Sequence, residues 1–160
     1  MKKVVVWLLA ALLLVAAGSA GAYFTAQTKV ADNVVTAGEM TLAAEPASAA
    51  LSIDGLAPGA SVTKPLTVAN NGSMPLGVVM TATKTAGITD FWNALTCRVA
   101  CDGVSLYDGP ISALRTTPLT VQPNTRPVLQ VTIGLPEAAG NDLAGDYVKF
   151  TAYIDAEQVR

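Results

Sequence analysis

Histidine is absent from this chain of 160 residues. The commonest metal ligand and the commonest acid/base near neutral pH are therefore both missing. A zinc peptidase built on His-Glu-x-x-His cannot be assembled from this sequence, nor can a Ser/His/Asp triad. Cysteine is scarce, two residues in all, too few for a structural zinc site that takes four ligands. Charge is low as well: 14% Asp, Glu, Lys and Arg, with a net charge of −2. The Lys and Arg residues are scattered and form no basic stripe, which argues against a nucleic-acid partner. The acids stand singly along the chain, with neither the carboxylate cluster of a metal site nor the alternating spacing of a calcium loop. No cofactor is expected, and the chain reads as non-enzymatic.

What is present begins with a leader. Lys2-Lys3 precede an apolar run from Val4 to Ala17, shorter than the roughly 20 apolar residues a spanning helix needs. Ala20-Gly21-Ala22 has the small-x-small form of a signal-peptidase site. Residues 1–22 therefore read as a signal-peptide helix, with cleavage involving Ala20, Ala22 and Tyr23 and leaving Tyr23 as the new N-terminus. An uncleaved membrane anchor is the alternative. Residues 23–160 are long enough for one domain that buries roughly two-thirds of its unfolded surface. Their Thr, Val, Ala, Gly and Pro content suits a β-sandwich or barrel.

Residues 23–36 form a polar, extended N-terminal arm with Lys29 and Asp32 as its only charges. Strand patterns follow. Val34 to Leu42 bends at Gly38, and the small-residue stretch 43–50 with Pro46 is unsuited to a central strand. In 61–70, Val62, Leu66 and Val68 are inward candidates. Asn70-Asn71-Gly72-Ser73 predicts a hairpin loop, and Leu76, Val78, Met80 and Ala82 alternate on the returning strand. Thr89-Asp90 predicts a capped helical turn that carries Trp92 as a core plug. Later strands are expected at 104–107, 119–121 and 128–133, with Leu129, Val131 and Ile133 facing one way. Leu135 to Gly140 reads as a loop rather than a sorting signal. In 146–156, Val148, Phe150, Ala152 and Ile154 share one face. The fold class is all-β: a single Ig-like or jelly-roll antiparallel β-sandwich with a short helical turn.

Three stretches carry a family resemblance: "TAGEMTL" after the cleavage site, "LSIDGLAPGASVTKPLTVANNGSMPLGVVM", and "KFTAYIDAEQ" near the end. They resemble the TasA/camelysin family of secreted bacterial proteins, whose leader is removed by a dedicated signal peptidase of the SipW type. The resemblance implies a location in the extracellular matrix or at the cell surface. It also implies a role as a fibre-forming subunit of the biofilm matrix, with other matrix proteins as further partners. Camelysin-type relatives have been classed as metallo-endopeptidases, so the resemblance carries that alternative too. A monomeric surface-binding module is a third reading.

The arm is β-prone and has no obvious hairpin partner. It is a candidate donor strand through Tyr23, Phe24, Val30, Val34 and Val35, completing the sheet of the next copy in a head-to-tail homopolymer. For Cys97 and Cys101 a secreted context favours a disulfide. Four extended residues would hold their Cα atoms about 13 Å apart, whereas a disulfide needs about 7 Å or less. Bonding therefore requires residues 98–100 to leave the extended conformation.

Overall fold

A computed structural model describes residues 25–29, 42–45, 51, 53, 55–140 and 142–159. The described residues fold as two antiparallel sheets packed face to face, as the alternating patterns require. In chain order the strands are β1 (Thr25–Lys29), β2 (Leu42–Glu45), β3 (Ser61–Asn70), β4 (Leu76–Gly87), β5 (Thr96–Cys101), β6 (Val104–Pro110), β7 (Leu119–Val121), β8 (Val128–Gly134) and β9 (Val148–Gln158). One sheet has the order β1-β9-β4-β7 and the other β2-β3-β8-β5-β6. A helix, α1 (Thr89–Ala94), links β4 to β5.

Period-two alternation puts the large aliphatics between the sheets. Leu76, Val78 and Met80 of β4, together with Ala152, Ile154 and Ala156 of β9, meet Leu66, Val68, Val99, Leu129, Val131 and Ile133 from the other sheet. Trp92 closes one end of this core at 6% exposure, its ring 5.6 Å from that of Phe150 and tilted by 39°. The helix is not capped as expected. Its N-cap is Ile88, which offers no side-chain bond, while Thr89 Oγ1 accepts from Lys84 Nζ at 3.0 Å. That lysine also donates to the Gly87 carbonyl at 2.8 Å, so it ties the end of β4 to the helix.

The predicted hairpin at residues 70–73 is a crossing between sheets. β3 pairs with β2 and β8, whereas β4 pairs with β7 and β9. Asn70 makes the corner. It is fully buried, and its Nδ2 donates to the carbonyls of Met74 at 2.8 Å and Val121 at 3.0 Å. Its Oδ1 accepts from the Gly72 amide at 3.0 Å. A turn signal reports that the chain reverses; it does not report which sheet receives it.

The tight hairpin lies instead between β5 and β6. Asp102 and Gly103 take φ of 48° and 81°, the two left-handed residues of a type I′ turn. Cys101 pairs with Val104, and the register then shifts by a bulge between Val99 and Ala100.

The expected disulfide is overturned by this geometry. Cys97 and Cys101 are the two ends of one strand run, with residues 98–100 extended between them. Both thiols are free and buried. A bond would require the middle of β5 to abandon its ladders with β6 and β8.

Candidate functional site: an open flank between the sheets

Among the described residues, one flank of the sandwich is paired over only half its length. β9 is paired with β4 along its length. On its other side it holds β1 alone, from Thr25↔Glu157 to Lys29↔Tyr153. Among the described residues nothing pairs with Val148–Ala152 on that side. The facing sheet has the same gap: β2 pairs with β3 only over Thr67–Asn70, which leaves Ser61–Leu66 without a described strand there. β1 and β2 lie against each other across the flank, so both gaps open on one side and at one end.

Behind the gaps lies a cleft of about 820 Å³, within the size range of ligand pockets. Phe150 and Ala152 line it from one sheet and Ile133 from the other, with Leu135, Phe91 and Leu56 also in its wall. It exists because the chain fills the sandwich unevenly. The covered half carries Val68, Ile154 and Ala156 between the sheets. At the open half, Val148 and Phe150 are only part-buried. Gly87 sets the rim of this end: its φ is 93°, and a Cβ there would lie 2.3 Å from the Tyr147 carbonyl oxygen.

Of the predicted arm, Thr25–Lys29 pairs with β9 of its own molecule. The expectation of an arm without an intramolecular partner is therefore corrected for those five residues. The partner is the last strand of the chain, more than 120 residues away, where no local turn signal can announce it. Tyr23, Phe24, Val30, Val34 and Val35 lie outside the described residues, as do the cleavage residues Ala20 and Ala22. No helix among the described residues is long and apolar enough to cross a membrane.

The thiols sit elsewhere, facing the core from β5. Burial, and then the nearby charge of Asp108, push the Cys97 thiol up to about 12. Burial, the Asp102 charge and a hydrogen bond to that carboxylate also raise Cys101. Both thiols therefore stay protonated at neutral pH, the unreactive form.

A family model described as camelysin metallo-endopeptidase matches residues 1–94. No curated protein matches the chain. The matched stretch ends in α1, so β5 to β9, including the strand that holds β1, lie beyond it.

The peptidase description implies a zinc ion, and the donor set present does not fit one. The sequence supplies no imidazole. Among the described residues no three of Cys, Asp and Glu come together as a metal-binding group. The acids have other surroundings: Glu45 pairs with Arg126 at 2.6 Å and Asp108 with Arg98 at 3.9 Å, while Asp90 lies in the first turn of α1. The match nonetheless spans more than half of the sequence, and it contains the TAGEMTL motif and the run around the Asn70 corner: this chain belongs to the camelysin family.

Proposed function

We propose that this protein is an exported structural subunit, released by removal of residues 1–22 and polymerised head to tail through exchange of its N-terminal strand. One observation carries the reading most directly. β1 is a strand of five residues that, among the described residues, pairs with β9 alone at the edge of its sheet, and it belongs to the segment that leader removal would set free. A strand of that kind exchanges readily, because a neighbour's identical strand offers the same backbone bonds and the same side chains. The contact joins the arm of one copy to the flank of the next, so it is heterologous and extends as a filament. Family membership supports an extracellular matrix or cell-surface location, with further matrix proteins as partners.

The test is electron microscopy of purified protein beginning at Tyr23. Filaments are expected, and deletion of residues 23–36 should abolish them while leaving a folded monomer by circular dichroism. Filaments from the truncated protein would sink the role of the arm. The family description favours a second reading, a metallo-endopeptidase. Casein hydrolysis that is abolished by a chelator would establish it, and the donor chemistry above supports no such activity.

A further inference from the structure

Asn71 is the one asparagine in the chain that precedes a glycine, and it is exposed at the corner where the chain crosses between sheets. Glycine has no Cβ to hinder close approach to its backbone, so the Gly72 nitrogen can reach Asn71 Cγ and close a five-membered ring. In the folded corner that nitrogen is engaged. Gly72 is buried, and its N–H donates to Asn70 Oδ1 at 3.0 Å. Asn70 is itself held on every side. Its amide donates to the Thr125 carbonyl at 3.0 Å, its carbonyl accepts from the Asn124 amide at 2.8 Å, and its Nδ2 donates to Met74 and Val121.

We infer that Asn71 is a site of spontaneous deamidation, held in check by the hydrogen bond from Gly72 to Asn70. The step balances with solvent alone. Hydroxide removes the Gly72 amide proton, the nitrogen attacks Asn71 Cγ, and the side-chain nitrogen leaves as ammonia after taking a proton from water. Water then opens the resulting succinimide at either carbonyl, which leaves aspartate or isoaspartate at position 71. Either product adds a negative charge. Isoaspartate also lengthens the main chain by one methylene immediately before Gly72, which carries that N–H off Asn70 Oδ1. The change is one-way, so the corner keeps a permanent record of having opened. None of this requires copies to polymerise.

Magnitudes decide how the corner opens. Lifting Gly72 off Asn70 leaves one buried amide without its partner, which slows the attack by about 5- to 150-fold relative to the unfolded chain. Waiting for the whole domain to unfold would slow it at least about 1,000-fold. Asn71 is exposed, while Asn70 stays anchored by its other bonds when Gly72 lifts away. The local route is therefore lower in energy and sets the rate.

The intact chain is incubated in mildly alkaline buffer, native or in concentrated urea, and conversion at position 71 is followed by peptide mapping that separates isoaspartate. Conversion about 5- to 150-fold slower in the native protein is expected. Protection outside that range overturns the inference: less would leave the site ungated, and more would assign the gate to unfolding of the domain. A second measurement needs no substitution. Hydrogen exchange at the Gly72 amide begins with loss of the same proton, so its protection should match that of deamidation to within about threefold. Fast exchange beside slow deamidation would remove the hydrogen bond to Asn70 from the role. Asn70→Ala should bring the native rate to within about threefold of the urea rate. Trp92→Ala acts at the other end of β4, where Phe150 opposes Lys84, and should leave the rate unchanged while the protein stays folded. Equal acceleration by the two substitutions also overturns the assignment to Asn70.

Discussion

Replacing Asn70 by alanine should destabilise the fold far more than any neighbouring change in its turn. The side chain is fully buried and makes three hydrogen bonds, donating to the carbonyls of Met74 and Val121 and accepting from the Gly72 amide. Alanine strands all three main-chain groups at a corner that water enters poorly. Each buried polar group left without its partner costs about 1–3 kcal/mol, and relaxation of the turn recovers part of the total. A loss of about 3–5 kcal/mol is therefore expected, a large share of the stability of a domain this size. Asn70→Asp should be at least as damaging, because it retains the acceptor for Gly72 but turns a carboxylate oxygen toward two carbonyls. Asn71 is exposed, and Asn71→Ala should change stability by less than about 0.5 kcal/mol. Urea denaturation followed by tryptophan fluorescence measures all three on one scale. A cost below about 1 kcal/mol for Asn70→Ala would refute the argument. Equal costs at positions 70 and 71 would also do so, placing the stability of the corner in its backbone conformation.

Trp92→Ala should cost about 3–5 kcal/mol, since it empties the core end where the indole meets Phe150; a chemical melt shows it. Gly87→Ala and Gly103→Ala make a contrasting pair: both have positive φ, but only at Gly87 does a Cβ meet backbone. Gly103→Ala should cost about 1 kcal/mol from the left-handed conformation alone, and Gly87→Ala clearly more, by overpacking. An aromatic disulfide reagent should label neither cysteine rapidly in the native protein and both after unfolding. The unfolded Cys97 thiol loses its proton near 9.0 and the folded one near 12, so stability should fall as pH rises between those values, by at most about 1.4 kcal/mol per pH unit. Added chelator should leave the melting temperature unchanged, because no metal-binding cluster occurs among the described residues.

The sandwich was legible because its strands alternate cleanly, as Leu129, Val131 and Ile133 do on β8 or Leu76, Val78 and Met80 on β4. Connections were harder to read. Asn70 continues the inward parity of Leu66 and Val68, and that parity was the available sign that the first asparagine of the loop belongs to the core. Likewise Cys97, Val99 and Cys101 share one parity, and Asp102-Gly103 follows at once. Together they describe a strand running into a tight hairpin, which leaves no room for a bond between the cysteines. The β2 strand begins at Leu42, where the predicted strand over 34–42 ends, and it stops before Pro46 at an edge. The open flank was not legible at all. It depends on which half of β9 receives β1, a pairing between residues at opposite ends of the chain with no local pattern to encode it.

That same pairing has a consequence for timing. A polypeptide is made from its N-terminus, so Thr25–Lys29 exists long before the β9 residues that receive it. Until the last strand is complete, the first has no home within its own molecule. In a polymer of the proposed kind, finished copies nearby would offer it one, and addition to a filament end would then compete with self-closure.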